Sequence, residues 1–341
     1  MPKTYYRPAG LVYGPDARKL IEEGRGASLG GFSAIAYTMV EVIARDGARK
    51  ERRFENFIAQ HSILFPPPCG EGNKLLIMGI VNVTPDSFSD GGRTADTDRA
   101  IAHGMQLARE GADILDVGGE STRPGSEGVA EDEELRRVIP VIEGFANAGL
   151  RVSCDTRKAS VMQAALVAGA QIINDVSALQ YDPAALETMA RASCPVILMH
   201  AQGDPRTMQL SPAYEDVVLD VFDMLESRIA ACVAAGIAKT RLIADPGIGF
   251  GKSFAHNLHV LRHFTLYHGL GVPLLMGLSR KGFIGALTGE KLAADRVHGS
   301  VGGAVWSALN GARILRVHDV KATVEALAVA GAVADPEQSG L

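Results

Sequence analysis

LLIMGIVN (residues 75–82) is an apolar run that stops on a polar side chain, Asn82, before a loop and a helical stretch. The same order returns in LRVSCD (150–155), ending on Asp155, in QIIN (171–174), ending on Asn174, and in TRLIAD (240–245), ending on Asp245. A short buried strand that feeds a helix is a βα unit. When such units close into a barrel, the C-terminal strand ends converge on one pocket. Polar residues ending several strands would then face a single ligand.

Working outward, strand-like runs fall at 75–81, 112–117, 151–154, 171–174, 195–199, 241–244, 273–277 and 313–317. Amphipathic stretches lie between them near 97–110, 131–147, 158–168, 183–192, 213–236, 255–264, 295–311 and 319–334. Asp182-Pro183 and Ser211-Pro212 are expected to start helices, and Gly111, Gly149, Gly169 and Gly236 to end them. Eight units over 73–335 predict an α/β chain folded as a (β/α)8 TIM barrel. An open doubly wound sheet is the competitor, but no GxGxxG follows the first strand.

Residues 1–72 read differently. FSAIAYTMVEVIARDGARKERRF (32–54) predicts two strands joined by a two-residue turn at Asp46-Gly47. Pro66-Pro67-Pro68 then punctuates the chain. This stretch is expected to be a small hairpin-and-helix extension that covers one end of the main domain, and 336–341 a tail.

Of the 341 residues, 47% are apolar and 21% charged, as suits a packed α/β core. A net charge of −5 supplies no general attraction to nucleic acid or an anionic membrane. No run approaches the roughly 18–20 apolar residues of a membrane helix, and the N-terminus lacks a signal core. Cys69, Cys154, Cys194 and Cys232 follow neither a zinc nor a disulfide pattern. A cytoplasmic location with reduced thiols is expected.

The strand-end carboxylates and amides suit a flat heterocycle with a donor and acceptor edge, such as a pterin or purine. The loop Asp245–Lys252 resembles a phosphate cradle but lacks P-loop spacing, which favours a neutral turn. Arg123 follows the second strand and Lys281 the seventh, Arg316 and His318 lie at the eighth, and basic groups gathered on one face would bind an anion. Asn82 and Asp86 offer hard oxygen donors, which suit Mg²⁺ better than zinc.

Taken in order, GIVNVTPDSFSDGG (79–92), GADILDVGGESTRPG (111–125), DTRKA (155–159), INDVS (173–177), MH (199–200), PRTMQ (205–209), DPGIGFGK (245–252), SRKGFIG (279–285) and RVHD (316–319) resemble the dihydropteroate synthase family. The resemblance spans about Leu75 to Val333 and implies a (β/α)8 barrel. It also implies condensation of 6-hydroxymethyl-7,8-dihydropterin pyrophosphate with p-aminobenzoate, giving 7,8-dihydropteroate and pyrophosphate. By matching motif, Asp155, Asn174, Asp245 and Lys281 would hold the pterin edge, with Met199 against the ring. Asn82, Arg316 and His318 would hold the pyrophosphate, with Mg²⁺ at Asn82. Asp86, Phe88, Thr122, Arg123 and Pro124, on the first two loops, would close over p-aminobenzoate, and Phe250 and Ser279 would complete that pocket. A homodimer through the late barrel helices is implied as well. A pterin-binding methyltransferase domain and a non-catalytic pterin-binding paralogue are the alternatives. After His200 the chain has Ala201 and Gln202 where the family more often has Met and Lys.

Overall fold

In a computed structural model of the chain, residues 3–58, 74–83, 92–121, 128–203 and 208–337 are described. The N-terminal unit comprises β1 (Thr4–Tyr13), α1 (Gly14–Glu22), β2 (Ala27–Leu29), β3 (Phe32–Ala44), β4 (Arg49–Arg53) and α2 (Phe54–Ile58). The second unit alternates β5 (Leu76–Asn82), α3 (Gly92–Arg109), β6 (Ile114–Gly118), α4 (Glu131–Asn147), β7 (Val152–Asp155), α5 (Ala159–Val167), β8 (Ile172–Asp175) and α6 (Ala185–Arg191). It continues with β9 (Val196–Met199), α7 (Val217–Ala234), β10 (Leu242–Asp245), α8 (Phe254–Arg262), β11 (Leu275–Met276), α9 (Gly282–Thr288), α10 (Val297–Leu309), β12 (Ile314–Val317) and α11 (Val320–Ala334).

β5 to β12 form one parallel sheet in the order β10-β9-β8-β7-β6-β5-β12-β11. A bridge between Ala244 and Leu274 joins its edge strands, so the fold is the (β/α)8 barrel. Side chains on a strand alternate between faces. Leu115, Val117, Val152, Cys154, Ile173, Leu198 and Leu315 therefore point outward into the core shared with the helices. Met78, Ile114, Ile172, Ile197, Ile243, Leu275 and Ile314 point inward and plug the lumen with one apolar layer. Two residues further along, the inward positions turn polar on β6, β7, β8, β10 and β12.

The extension is an antiparallel sheet in which β3 pairs with β1, β2 and β4. The β3–β4 turn corrects the two-residue expectation. Ala44 N donates to Ala48 O (2.9 Å) and Gly47 N to Ala44 O (3.0 Å), leaving a three-residue loop. Gly47, at φ +89°, takes the left-handed position that such a loop requires. Tyr5 and Ile43 join the barrel's own core. Tyr5 meets the Phe222 ring edge-on at 5.6 Å, and its hydroxyl donates to Asp223 (2.8 Å). Tyr13 Oη donates to Leu309 O (3.2 Å), and Arg18 pairs with Asp335. The last two contacts fall where barrel strands begin and helices end, away from the polar strand ends.

Two helix starts also differ from expectation. α7 is capped by Asp216, whose carboxylate accepts from Val218 N (2.9 Å) and Leu219 N (3.2 Å), five residues after Ser211. α6 has Ala184, not Asp182, at its cap position; Asp182 accepts from Ala184 N (2.8 Å) and also from Ala159 N (2.8 Å) in the first turn of α5. No helix of the described residues is long and apolar enough to cross a membrane. Because Tyr5 is buried against the barrel, Tyr5→Ala should lower unfolding stability by about 3 kcal/mol. Urea denaturation of the full chain measures this, and an unchanged midpoint would mean the contact contributes nothing.

Candidate active site

The inward alternation builds the site. Ile114 is followed on its face by Asp116, Ser153 by Asp155, Ile172 by Asn174, Ile197 by Met199, Ile243 by Asp245 and Ile314 by Arg316. Five polar side chains and one thioether thus stand on a single level above an apolar floor, and Asn82 ends β5 at the rim. Arg316 ties this level together. Its Nε donates to Asp116 Oδ2 (2.6 Å) and its Nη2 to Asp155 Oδ2 (2.7 Å). Asn174 Nδ2 donates to the same Asp116 oxygen (3.1 Å). Asp116 Oδ1 is buried with no hydrogen-bond partner among the described residues. Opposite stands Asp245, with one oxygen accepting from Gly247 N (2.7 Å). A Cβ added to Gly277 would lie 3.7 Å from both the other Asp245 oxygen and Arg316 Cβ, so these groups border one space.

Burial sets the electrostatics. It raises Asp155 to about 7, with the Arg316 charge opposing the shift, and Asp245 to about 6, opposed by the Gly247 N–H and then by Lys281, Lys252 and Arg316. Burial also works against the Arg316 charge, but Asp116 and Asp155 outweigh it and hold the guanidinium more basic than usual. Carboxylates poised between protonated and ionised forms can accept from or donate to a heterocycle edge.

At the rim, Ser279 Oγ accepts from His318 N (3.2 Å) and lies 3.0 Å from His318 Nδ1. Arg280 adopts φ +59° and its guanidinium grips Asp319 at 3.0 and 2.5 Å, which fixes the loop that carries Ser279 and Lys281. Lys281 Nζ sits 3.9 Å above the Phe250 ring. Met199, Asp155, Asn174, Asp245, Lys281, Phe250, Ser279, Arg316, His318 and Asn82 therefore all stand at one end of the barrel. Asp86, Phe88, Thr122, Arg123 and Pro124 lie outside the described residues. The Asp245–Lys252 loop spends its amides internally, since Gly247 N serves Asp245 and Gly249 N donates to Asn257 (2.7 Å), so it is a turn and not a phosphate cradle.

Asp116 is the residue that the sequence reading missed. Its signal is the alternation itself, because in ILDVG it shares a face with Ile114. Asp175, one residue past Asn174, points the other way and caps its own turn, accepting from Ser177 N (2.7 Å) and Leu179 N (2.9 Å).

A family model for pterin binding enzymes matches residues 78–318. A dihydropteroate synthase of Neisseria meningitidis serogroup B is 54% identical over 75% of this chain and 92% of its own length. The chain belongs to the dihydropteroate synthase family of pterin-binding enzymes. The family's Escherichia coli dihydropteroate synthase is 47% identical over 77% of this chain and 93% of its own. A Xanthomonas albilineans dihydropteroate synthase structure with 4-aminobenzoic acid aligns at TM-score 0.73 and 55% identity, covering 76% of this chain and 93% of that one. A structure of the enzyme from that organism in complex with 7,8-dihydropteroate aligns at TM-score 0.68 and 48% identity, covering 76% and 93%. The family match begins in β5, so the N-terminal sheet lies outside it.

Asp155, Asp175 and Asp245 titrate at about 7, 6 and 6 in the folded chain, against an ordinary value of 3.8. Raised acids favour folding fully below about pH 4, and that contribution is lost as pH climbs through 6 and 7. Asp155→Asn should therefore flatten the fall in stability between about pH 4 and 8. Urea midpoints across that range test it, and curves parallel to wild type would contradict it.

Proposed function

We propose that the chain condenses 6-hydroxymethyl-7,8-dihydropterin pyrophosphate with p-aminobenzoate, giving 7,8-dihydropteroate and pyrophosphate. The polar level above the apolar plug carries this reading, because its donors and acceptors border one space that the apolar layer closes from below. Asp116, Asn174, Asp245 and Lys281 would bind the pterin edge, and Met199 would pack on its face. The diphosphate would lie above, against Asn82 and His318 and within reach of the Arg316 charge. The aryl amine would enter beside Phe250 and Ser279.

The difficult event is cleavage of the C–O bond to diphosphate, during which negative charge grows on the leaving group. Preorganised groups answer that charge: the His318 imidazole, held by Ser279, and the Arg316 guanidinium, held by Asp116 and Asp155. The pterin delocalises the positive charge left on its methylene carbon, and the amine nitrogen attacks there and then sheds a proton. An aryl amine is already nucleophilic, so no strong base is needed.

Among the described residues no group of three or more His, Cys, Asp or Glu could hold a metal. A resident cage does not fit, but a Mg²⁺ that takes most of its ligands from diphosphate and water fits one amide oxygen at Asn82. Bound there, it would neutralise part of the leaving-group charge. A homodimer is supported by the exposed apolar side chains Leu287, Trp306, Val329 and Val333 on α9, α10 and α11. The free thiols of Cys154, Cys194 and Cys232 suit the cytoplasm.

Purified protein given the pterin diphosphate, p-aminobenzoate and Mg²⁺ should release pyrophosphate one-for-one with dihydropteroate. Pterin binding without release would refute the reaction. His318→Ala should cut kcat by about 10²-fold, as expected for one preorganised charge-stabilising group, while Asp245→Ala should act chiefly on the KM for the pterin substrate. A kcat unchanged in His318→Ala would remove its leaving-group role.

A further inference from the structure

Lys252 is buried to 2% exposure, though it carries a primary amine and lies outside the polar level. Its Nζ donates to His200 Nδ1 (2.8 Å), Gly247 O (2.8 Å) and Phe250 O (3.2 Å), with His200 O at 3.5 Å. Burial pulls the Lys252 amine down to about 7; in its ammonium form it has no lone pair, so the imidazole Nδ1 must accept. Burial, and then the Lys252 charge, hold His200 neutral, which fits that role.

These contacts join two strand ends. His200 follows Met199 at the end of β9, and Gly247 to Phe250 follow Asp245 at the end of β10. The two segments already touch backbone to backbone. His200 N donates to Asp245 O (2.9 Å), and a Cβ on Gly247 would lie 1.9 Å from His200 O. Gly251 is equally confined, since a Cβ there would lie 2.3 Å from Gln202 O. Lys252 threads beneath this seam and fills the carbonyl acceptors that the tight turn leaves buried.

We infer that Lys252 is a positioning residue for the pterin site: its ammonium fixes the 247–250 turn so that the Gly247 N–H stays on the Asp245 carboxylate and the Phe250 ring stays under Lys281. The inference rests on the reading that the pterin binds Asp245. Charged or donating groups facing Asp245 are the Gly247 N–H, Lys281, Lys252 and Arg316. Those facing Lys252 are His200, Asp245, Lys281 and, more remotely, His256.

Each Asp245 partner lowers the carboxyl's proton affinity, so loss of Lys252 removes one of them directly and loosens the Gly247 N–H. Lys252→Met should move the acidic limb of kcat/KM for the pterin diphosphate upward by about one pH unit and raise its KM about tenfold. The KM for p-aminobenzoate should change far less. Lys252→Arg, which keeps the charge and the donors, should return the limb toward wild type. A thermal melt establishes that each variant is folded; should Lys252→Met not fold, Lys252→Gln removes the charge while keeping N–H donors and should shift the limb in the same direction. A folded neutral variant with the wild-type limb and KM would overturn the inference. Wild-type enzyme that cannot use the pterin diphosphate would overturn the underlying reading, and the inference with it.

Discussion

The two ion pairs from Arg316 to Asp116 and Asp155 are the constraint on which the site depends. A lone guanidinium or carboxylate at this depth would be strongly unfavourable, and breaking a buried pair costs about 3–5 kcal/mol. The arrangement persists because three strands, β6, β7 and β12, place the partners on one inward level. The charges need not neutralise one another completely. Among the described residues Asp116 keeps one oxygen without a hydrogen-bond partner, and burial raises the Asp155 carboxyl above the ordinary carboxylate range. That residual demand for hydrogen bonds faces the slot and is what a heterocycle could satisfy.

The barrel divides its labour by height. Below, branched and thioether side chains seal the lumen, which stops water from entering beneath the ligand and lowers the local dielectric. Above, short turns that need glycine bring loops close enough to share hydrogen bonds, as between His200 and Gly247. The N-terminal sheet attaches elsewhere, through Tyr5 on α7 and Tyr13 near the start of β12, so it braces the scaffold without entering the slot.

Much of this was legible in the residues. All eight barrel strands fall within two residues of the runs read from the sequence, because continuous apolar stretches ending on polar residues mark parallel strands buried on both faces. Asp155, Asn174, Asp245 and Arg316 were found because they stand at those ends. Asp116 was overlooked because it lies in mid-strand, where only period-two alternation shows that it faces inward. Lys252 was hidden by the opposite problem: it sits in a loop, and nothing local signals that a lysine there is buried. β1 was missed because its partner, β3, is separated from it by α1 and β2, and such a pairing leaves no short-range signature. The loop positions Asp86, Phe88, Thr122, Arg123 and Pro124 rest on motif likeness alone.

The most direct test is calorimetric titration of wild-type protein and Asp116→Ala with 6-hydroxymethyl-7,8-dihydropterin, which lacks the diphosphate, in the absence of p-aminobenzoate and Mg²⁺. If the polar level of the barrel recognises the ring by itself, wild type binds one equivalent and the variant loses at least about tenfold in affinity, the equivalent of 1.4 kcal/mol. Equal affinity in the two proteins would contradict the account.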